Sequence, residues 1–255
     1  MKAHPLPAIH GWRWLADGYA LYRRNPAALL LLVTFYWLVL ILLNLIPLLG
    51  PVAASIAIPG LAVGIMNACR DLDGGRVPPP SRLFSGFRDN RQTLINLGIV
   101  YLALSMLIVT LASVVDGGAL IRALPSGKWP EAESGESELA ALILFGGLVP
   151  LLAAYWFGPM LAAWHRLPAG KALFFSLVAC WLNWRPFLVY GLALLLVGAV
   201  LPMMVMIVAA LVLPKAALSA VVMLLSLPLL LVLMPVVFAS FYVSYREVFR
   251  VSKHA

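Results

Sequence analysis

The sequence predicts an all-α integral membrane protein with six transmembrane helices in three hairpin units. Each unit is expected to be preceded by an amphipathic helix lying on the cytoplasmic face of the membrane. Three observations predict this. Of 255 residues, 63% are hydrophobic and 11% charged, with a mean hydropathy of +0.99, whereas a soluble domain carries about a quarter charged residues. Six apolar segments reach the length of about 20 residues needed to cross about 30 Å of hydrocarbon. The charged residues between those segments also divide by sign. The N-terminus, residues 70–92, residues 165–186 and the C-terminus together hold 15 Lys and Arg against 5 Asp and Glu, and the opposite side holds 3 against 5. Basic loops stay inside, so both termini are expected in the cytoplasm.

The first element is the stretch at 11–32, GWRWLADGYALYRRNPAALLLL. On a helix, Trp12, Leu15, Tyr19 and Tyr22 share one face. Arg13, Asp17 and Arg24 fall elsewhere, with Arg13 and Asp17 at the i,i+4 spacing of an ion pair. Trp and Tyr rings settle at the membrane–water boundary and Arg pairs with lipid headgroups. The segment is therefore expected to lie on the membrane and feed the first span, residues 27–49. No small-residue cleavage site closes that span, which reads as a retained signal-anchor.

A tight turn between Pro47 and Pro51 leads to the second span, 52–69. There Gly60, Gly64 and Ala68 repeat every four residues, a spacing that lets helix backbones approach closely. Pro78, Pro79 and Pro80 then stiffen the chain, Ser81 is the expected N-cap of a second surface segment, and Leu83, Phe84 and Phe87 form its apolar face. The third span is 94–115 and the fourth 139–164. Between them lies an outer loop, 116–138, polar and acidic towards its end, with a helical turn expected at 119–124. In the third surface segment Phe174, Leu177, Trp181 and Trp184 share a face while Lys171 and Asn183 point elsewhere, and the segment is apolar enough to be partly buried. Pro214 and Lys215 separate the fifth span, 187–213, from the sixth, 216–245.

The joints LYRRNPAALL, FRDNRQTLIN and WLNWRPFLVY mark the threefold repeat. A proline precedes the basic exit of each returning span: Pro59 before Arg70, Pro159 before Arg166, and Pro235 before Arg246. The middle spacing is shorter than the other two. A parallel tandem of hairpins differs from the inverted two-half plan of many secondary transporters.

The residue inventory bears on function mainly through what it lacks. A net charge of +8 invites a nucleic-acid reading, but the cations sit beside apolar spans, as topology requires, so no nucleic-acid partner is expected. Cys69 and Cys180 lie far apart at positions expected inside, which argues against a disulfide or a cysteine metal site. All Lys, Arg, Asp and Glu residues fall in loops, surface segments or span ends, whereas pumps and proton-coupled carriers keep ionisable groups within the membrane. No HExxH, GxSxG or Walker loop is present. The single triplet Asn25, Pro26, Ala27 spells the water-channel motif but sits at a helix start, where proline is favoured anyway. No catalytic residue, metal or cofactor is therefore expected.

Two readings of function remain. In the first the protein is non-enzymatic and interacts with membrane lipids, a membrane-protein partner or a second copy of itself. Its lipid-headgroup candidates are Arg13, Arg23, Arg24, Arg82, Arg88 and Arg91, and its helix-packing candidates Gly60, Gly64 and Ala68. The alternative is a passive transporter of lipid or small molecules, using a cavity among proline-kinked helices lined by Asn67, Asn96 and Tyr101.

GWRWLADGYALYRRNPAALLLL, LIPLLGP from Leu45 and PGLAVGIMNACRDLDGG from Pro59 resemble a family of uncharacterised proteobacterial inner-membrane proteins. The resemblance extends through DGGALIR from Asp116 and is looser beyond. It implies a polytopic protein of the bacterial cytoplasmic membrane and transfers no functional residues. The layout is also similar to broader bacterial families with a juxtamembrane helix and six spans.

Overall fold

The computed structural model describes residues 2–88, 90–119, 135–212 and 214–249, the side chains at 135–137, 215–223, 225–228 and 230 excepted. Every regular element among the described residues is helical. In order they are α1 (His10–Tyr22), α2 (Pro26–Asn44), α3 (Leu49–Asp73), a 3-10 segment (Pro80–Phe87), α4 (Arg91–Val115), α5 (Gly135–His165), α6 (Ala169–Leu182), α7 (Trp184–Leu195), a π turn (Leu196–Val200), α8 (Leu201–Val212) and α9 (Lys215–Val248). Six helices are long and apolar enough to cross a membrane: Pro26–Asn44, Leu49–Asp73, Arg91–Val115, Glu138–His165, the continuous rod Trp184–Val212, and Leu231–Val248 within α9. They follow the six apolar segments in order, the sixth counted from Leu231 although α9 begins at Lys215. The expected helical turn at 119–124 and most of the outer loop lie outside the described residues.

The first long helix stops at Asn44, five residues short of the expectation. Pro47 disfavours helical backbone in the residue before it, and the chain turns through Leu48 in the left-handed region at φ 63. Pro51 then falls in the first turn of α3, where a missing N–H costs nothing. The 3-10 segment begins at Pro80 with Pro79 as its N-cap. Ser81, the expected cap, is exposed one residue inside, because the Pro78–Pro80 run itself presets the backbone for the first turn.

The chain divides into two compact units: Met1–Leu42, Leu61–Arg88 and Ala179–Ala255 make the first, and Leu43–Gly60 with Asp89–Val178 the second. In the first unit α1 packs on α7 and α9. Its buried face is Gly11, Trp14, Leu15, Gly18, Leu21 and Tyr22, while Trp12 and Tyr19 stand exposed. Of the expected face, Leu15 and Tyr22 are therefore buried in the protein, whereas Trp12 and Tyr19 are not. Gly11 and Gly18, seven residues apart, are where the backbones meet. A Cβ on Gly11 would lie 2.1 Å from the Pro186 carbonyl oxygen, and one on Gly18 would lie 2.6 Å from the Ser240 nitrogen. Trp14 fills the space beside them, edge-on to Phe187 and Tyr190 at 5.2 and 6.0 Å between ring centroids. The expected Arg13–Asp17 ion pair is not formed, and both side chains are exposed. Such a pair in water gains only about 0.3–0.5 kcal/mol.

In the second unit α4 packs on α5. The Tyr155 hydroxyl donates to the Leu97 carbonyl at 2.7 Å, and its ring meets Tyr101 edge-on at 5.0 Å. A rung of α5 just before Pro159 is bridged by a foreign side chain. Buried Ser176 accepts from the Phe157 amide at 2.9 Å and donates to the Ala153 carbonyl at 2.7 Å. A hydroxyl inserted at this rung accommodates the distortion that an internal proline imposes on its own preceding turn. Ser176→Ala is expected to cost about 0.5–1.5 kcal/mol, the net worth of a hydrogen bond lost at this rung. Reversible unfolding in detergent measures the loss.

The third surface segment is partly buried, but through a different face from the aromatic one, and Asn183 is on that buried face. Ala172, Ser176, Ala179 and Asn183 are fully buried, whereas Phe174, Trp181 and Trp184 are exposed. Small side chains permit the close approach, so the aromatic rings are left facing outwards, the arrangement suited to a membrane boundary.

Candidate functional site

The polar groups of the first unit gather where α3 and α9 end. Asp71 and Asp73 lie in the last turn of α3, an unfavourable place for anions because the helix dipole presents its negative end there. Four arginines from other parts of the chain compensate. Arg24, on the joint between α1 and α2, donates through Nη1 to the carbonyls of Leu72 and Asp73 at 3.1 and 2.9 Å. It thereby caps the helix end, with Asp73 Oδ1 3.4 Å away. Arg246 Nη1 donates to Asp73 Oδ2 at 2.7 Å, and the Tyr242 hydroxyl donates to the same oxygen at 3.3 Å.

Asp71 is held from the other side by the 3-10 segment and the loop before it. Arg82 Nη2 donates to Oδ1 at 3.1 Å, and its Nε lies 2.7 Å from Oδ2 as an ion-pair contact without hydrogen-bond geometry. Arg76 adds a contact at 3.0 Å. One turn earlier on α3, Asn67 donates to the Ser85 hydroxyl at 2.8 Å. Another turn back, a Cβ on Gly64 would sit 1.8 Å from the Leu83 carbonyl oxygen. Gly64, Asn67 and Asp71 thus form an i, i+3, i+7 stripe on which the 3-10 segment is seated.

The last turn of α9 ties down three further pieces of chain. Arg246 holds α3 as above. The Glu247 Oε2 accepts from Trp14 Nε1 at 3.0 Å and lies 2.7 Å from His10 Nδ1, which fixes the start of α1. The Val248 carbonyl accepts from the His4 amide at 2.9 Å. Asn183, at the joint of α6 and α7, completes this seat. Its Oδ1 accepts from the Leu6 amide at 2.9 Å, and its Nδ2 donates to the carbonyls of His4 and Ala179 at 3.1 and 2.9 Å.

The candidates from sequence separate accordingly. Arg24 and Arg82 are paired with Asp73 and Asp71, Arg24 while half exposed. Arg13, Arg23, Arg88 and Arg91 are exposed, and none of the ion pairs among the described residues involves them. Gly60 and Ala68 are buried along with Gly64. Asn67 donates to Ser85, Tyr101 lies against Tyr155 in the second unit, and Asn96 is exposed on α4, accepting from Gln92 at 3.1 Å. Cys69 and Cys180 are buried free thiols. Among the described residues no three His, Cys, Asp or Glu side chains group as a metal site would need.

Asp71, Asp73, Arg246, Glu247 and Asn183 are not among the site residues expected from the sequence. One signal was available: two carboxylates at the C-terminal end of an apolar helix need cations nearby.

The chain is similar to the probable inner membrane protein BTH_II0599 of Burkholderia thailandensis, with 38% identity over 201 residues, which cover 75% of this chain and 74% of that protein. No protein-family model matches the chain, and no solved structure matches it.

Proposed function

The chain belongs to the family of that probable inner membrane protein of Burkholderia thailandensis, and on this premise we propose that it is a non-enzymatic, lipid-binding component of the bacterial cytoplasmic membrane. Both termini lie on the inner side, and exposed arginines there bind anionic headgroups. The charge division between loops supports the orientation. The observation that carries the lipid reading is the separation of the arginines. Arg24 and Arg82 pair with Asp73 and Asp71, while Arg13, Arg23, Arg88 and Arg91 are exposed and enter none of the ion pairs among the described residues. Trp12, Tyr19 and Phe84 are exposed in the same segments, and rings of this kind favour the headgroup level. The transport alternative draws less support, because the Asn67 amide donates to Ser85 and the Tyr101 ring lies against Tyr155.

Each Arg close to an anionic leaflet contributes about 1 kcal/mol, so replacing Arg13, Arg23, Arg88 and Arg91 by Gln is expected to weaken phosphatidylglycerol retention about tenfold or more. Native mass spectrometry of the purified protein reads this directly. Arg24→Gln and Arg82→Gln are expected to lower stability and leave lipid retention nearly unchanged. Equal retention by the quadruple variant, with its fold intact, removes the proposal.

A further inference from the structure

Residues 2–9 form no regular element, yet their backbone is recognised in detail. Proline at positions 5 and 7 removes two amide donors, so His4 and Leu6 carry the N–H groups of this short run. Both are used: His4 donates to the Val248 carbonyl and Leu6 to Asn183 Oδ1. The Asn183 amide returns a bond to the His4 carbonyl, so one side chain grips a dipeptide's acceptor and donor as a neighbouring strand would. Asn183 is fully buried, and its donor and acceptor are both engaged. Side chains alternate along residues 4–7, with Pro5 and Pro7 exposed and His4 and Leu6 half-buried, before Ala8 and Ile9 turn into α1. That is the period of an extended peptide lying on a surface.

We propose that Asn183 and the last turn of α9 form a docking site for extended peptides of the x-Pro-x-Pro type, filled in cis by the chain's own residues 2–9. Prolines on either side of a free N–H suit such a site because the ligand is already extended and loses little entropy on docking. The strap is held by a few individual hydrogen bonds, so it opens locally without unfolding the helices that carry it. While it is bound, the site is closed to peptides of the same chemistry from another protein.

The test uses the full-length protein in nanodiscs of phosphatidylcholine and phosphatidylglycerol, with a synthetic peptide of residues 2–9, KAHPLPAI, as probe. Leu6→Pro removes one N–H from the strap and leaves Asn183 in place. Amide exchange at the N-terminus is expected to rise in this variant, and saturable binding of the free peptide to appear that the unaltered protein lacks. A peptide N-methylated at Leu6 is expected to bind about tenfold more weakly, the effect of leaving a buried acceptor unsatisfied. Adding Asn183→Ala to the Leu6→Pro variant should abolish binding, and the N-methyl peptide keeps the test decisive if that protein does not fold. The proposal is overturned if Leu6→Pro leaves strap exchange unchanged, if the released site does not take up the peptide, or if N-methylation makes no difference.

Discussion

Asp73→Ala is expected to destabilise the protein by about 3–5 kcal/mol, the cost of leaving a buried partner charge uncompensated. The two arginines on Asp73 are not equally affected. The Arg246 side chain is 13% exposed and that of Arg24 50%, so Arg24 regains water when the carboxylate is lost whereas Arg246 cannot. Tyr242 loses its acceptor in the same substitution. Combining Asp73→Ala with Arg246→Met should recover much of the loss, because removing both members of a buried pair costs far less than removing one. Asp71→Ala should cost less, since Arg76 and Arg82 are 71% and 36% exposed. Unfolding titrations in mixed micelles measure all four proteins. A loss below about 1 kcal/mol for Asp73→Ala would show that this network does not brace the first unit.

The second large effect is steric. Gly18→Ala places a methyl group 2.6 Å from the Ser240 nitrogen and 2.7 Å from its Cα, and Gly64→Ala places one 1.8 Å from the Leu83 carbonyl oxygen. In both cases the neighbour is backbone, which cannot rotate away as a side chain would. Each substitution is expected to cost about 3 kcal/mol, at the upper end for overpacking. Gly18→Ala should lift α1 from α9 and weaken the Trp14–Glu247 contact, which the tryptophan fluorescence would register. Gly64→Ala should unseat the 3-10 segment and expose Arg82 to solvent exchange. Gly191→Ala is the comparison, because a Cβ there meets nothing within 4 Å. It is expected to be neutral or to stabilise by up to about 1 kcal/mol through helix propensity alone. Equal losses at all three positions would falsify the close-approach account.

These positions show which parts of the fold can be read from residue order. The long helices were legible because hydropathy is summed along contiguous chain, and Ala27 to Leu42 or Leu94 to Val115 need no partner to declare themselves. The face of α1 was legible only in part. Leu15 and Tyr22 of the expected face pack inside and Trp12 and Tyr19 do not, because the contact is centred on Gly11 and Gly18, where another backbone lies. Asn183 misled for the opposite reason: a polar residue beside tryptophans reads as outward, yet its amide is buried against the chain near His4. Its partners are separated from it by 177 and 179 residues, beyond the reach of any periodicity. The candidate arginines were legible as a class and not individually, since only contact with Asp71 or Asp73 distinguishes Arg82 and Arg24 from Arg88 and Arg23.

The sequence by itself therefore determined a helical membrane protein with six membrane-length apolar segments, because solvation by hydrocarbon depends on local composition and length. Tertiary structure decided which glycines are contacts, which arginines are braces and what Asn183 holds, because close packing and ion pairing depend on residues that meet only after the helices assemble.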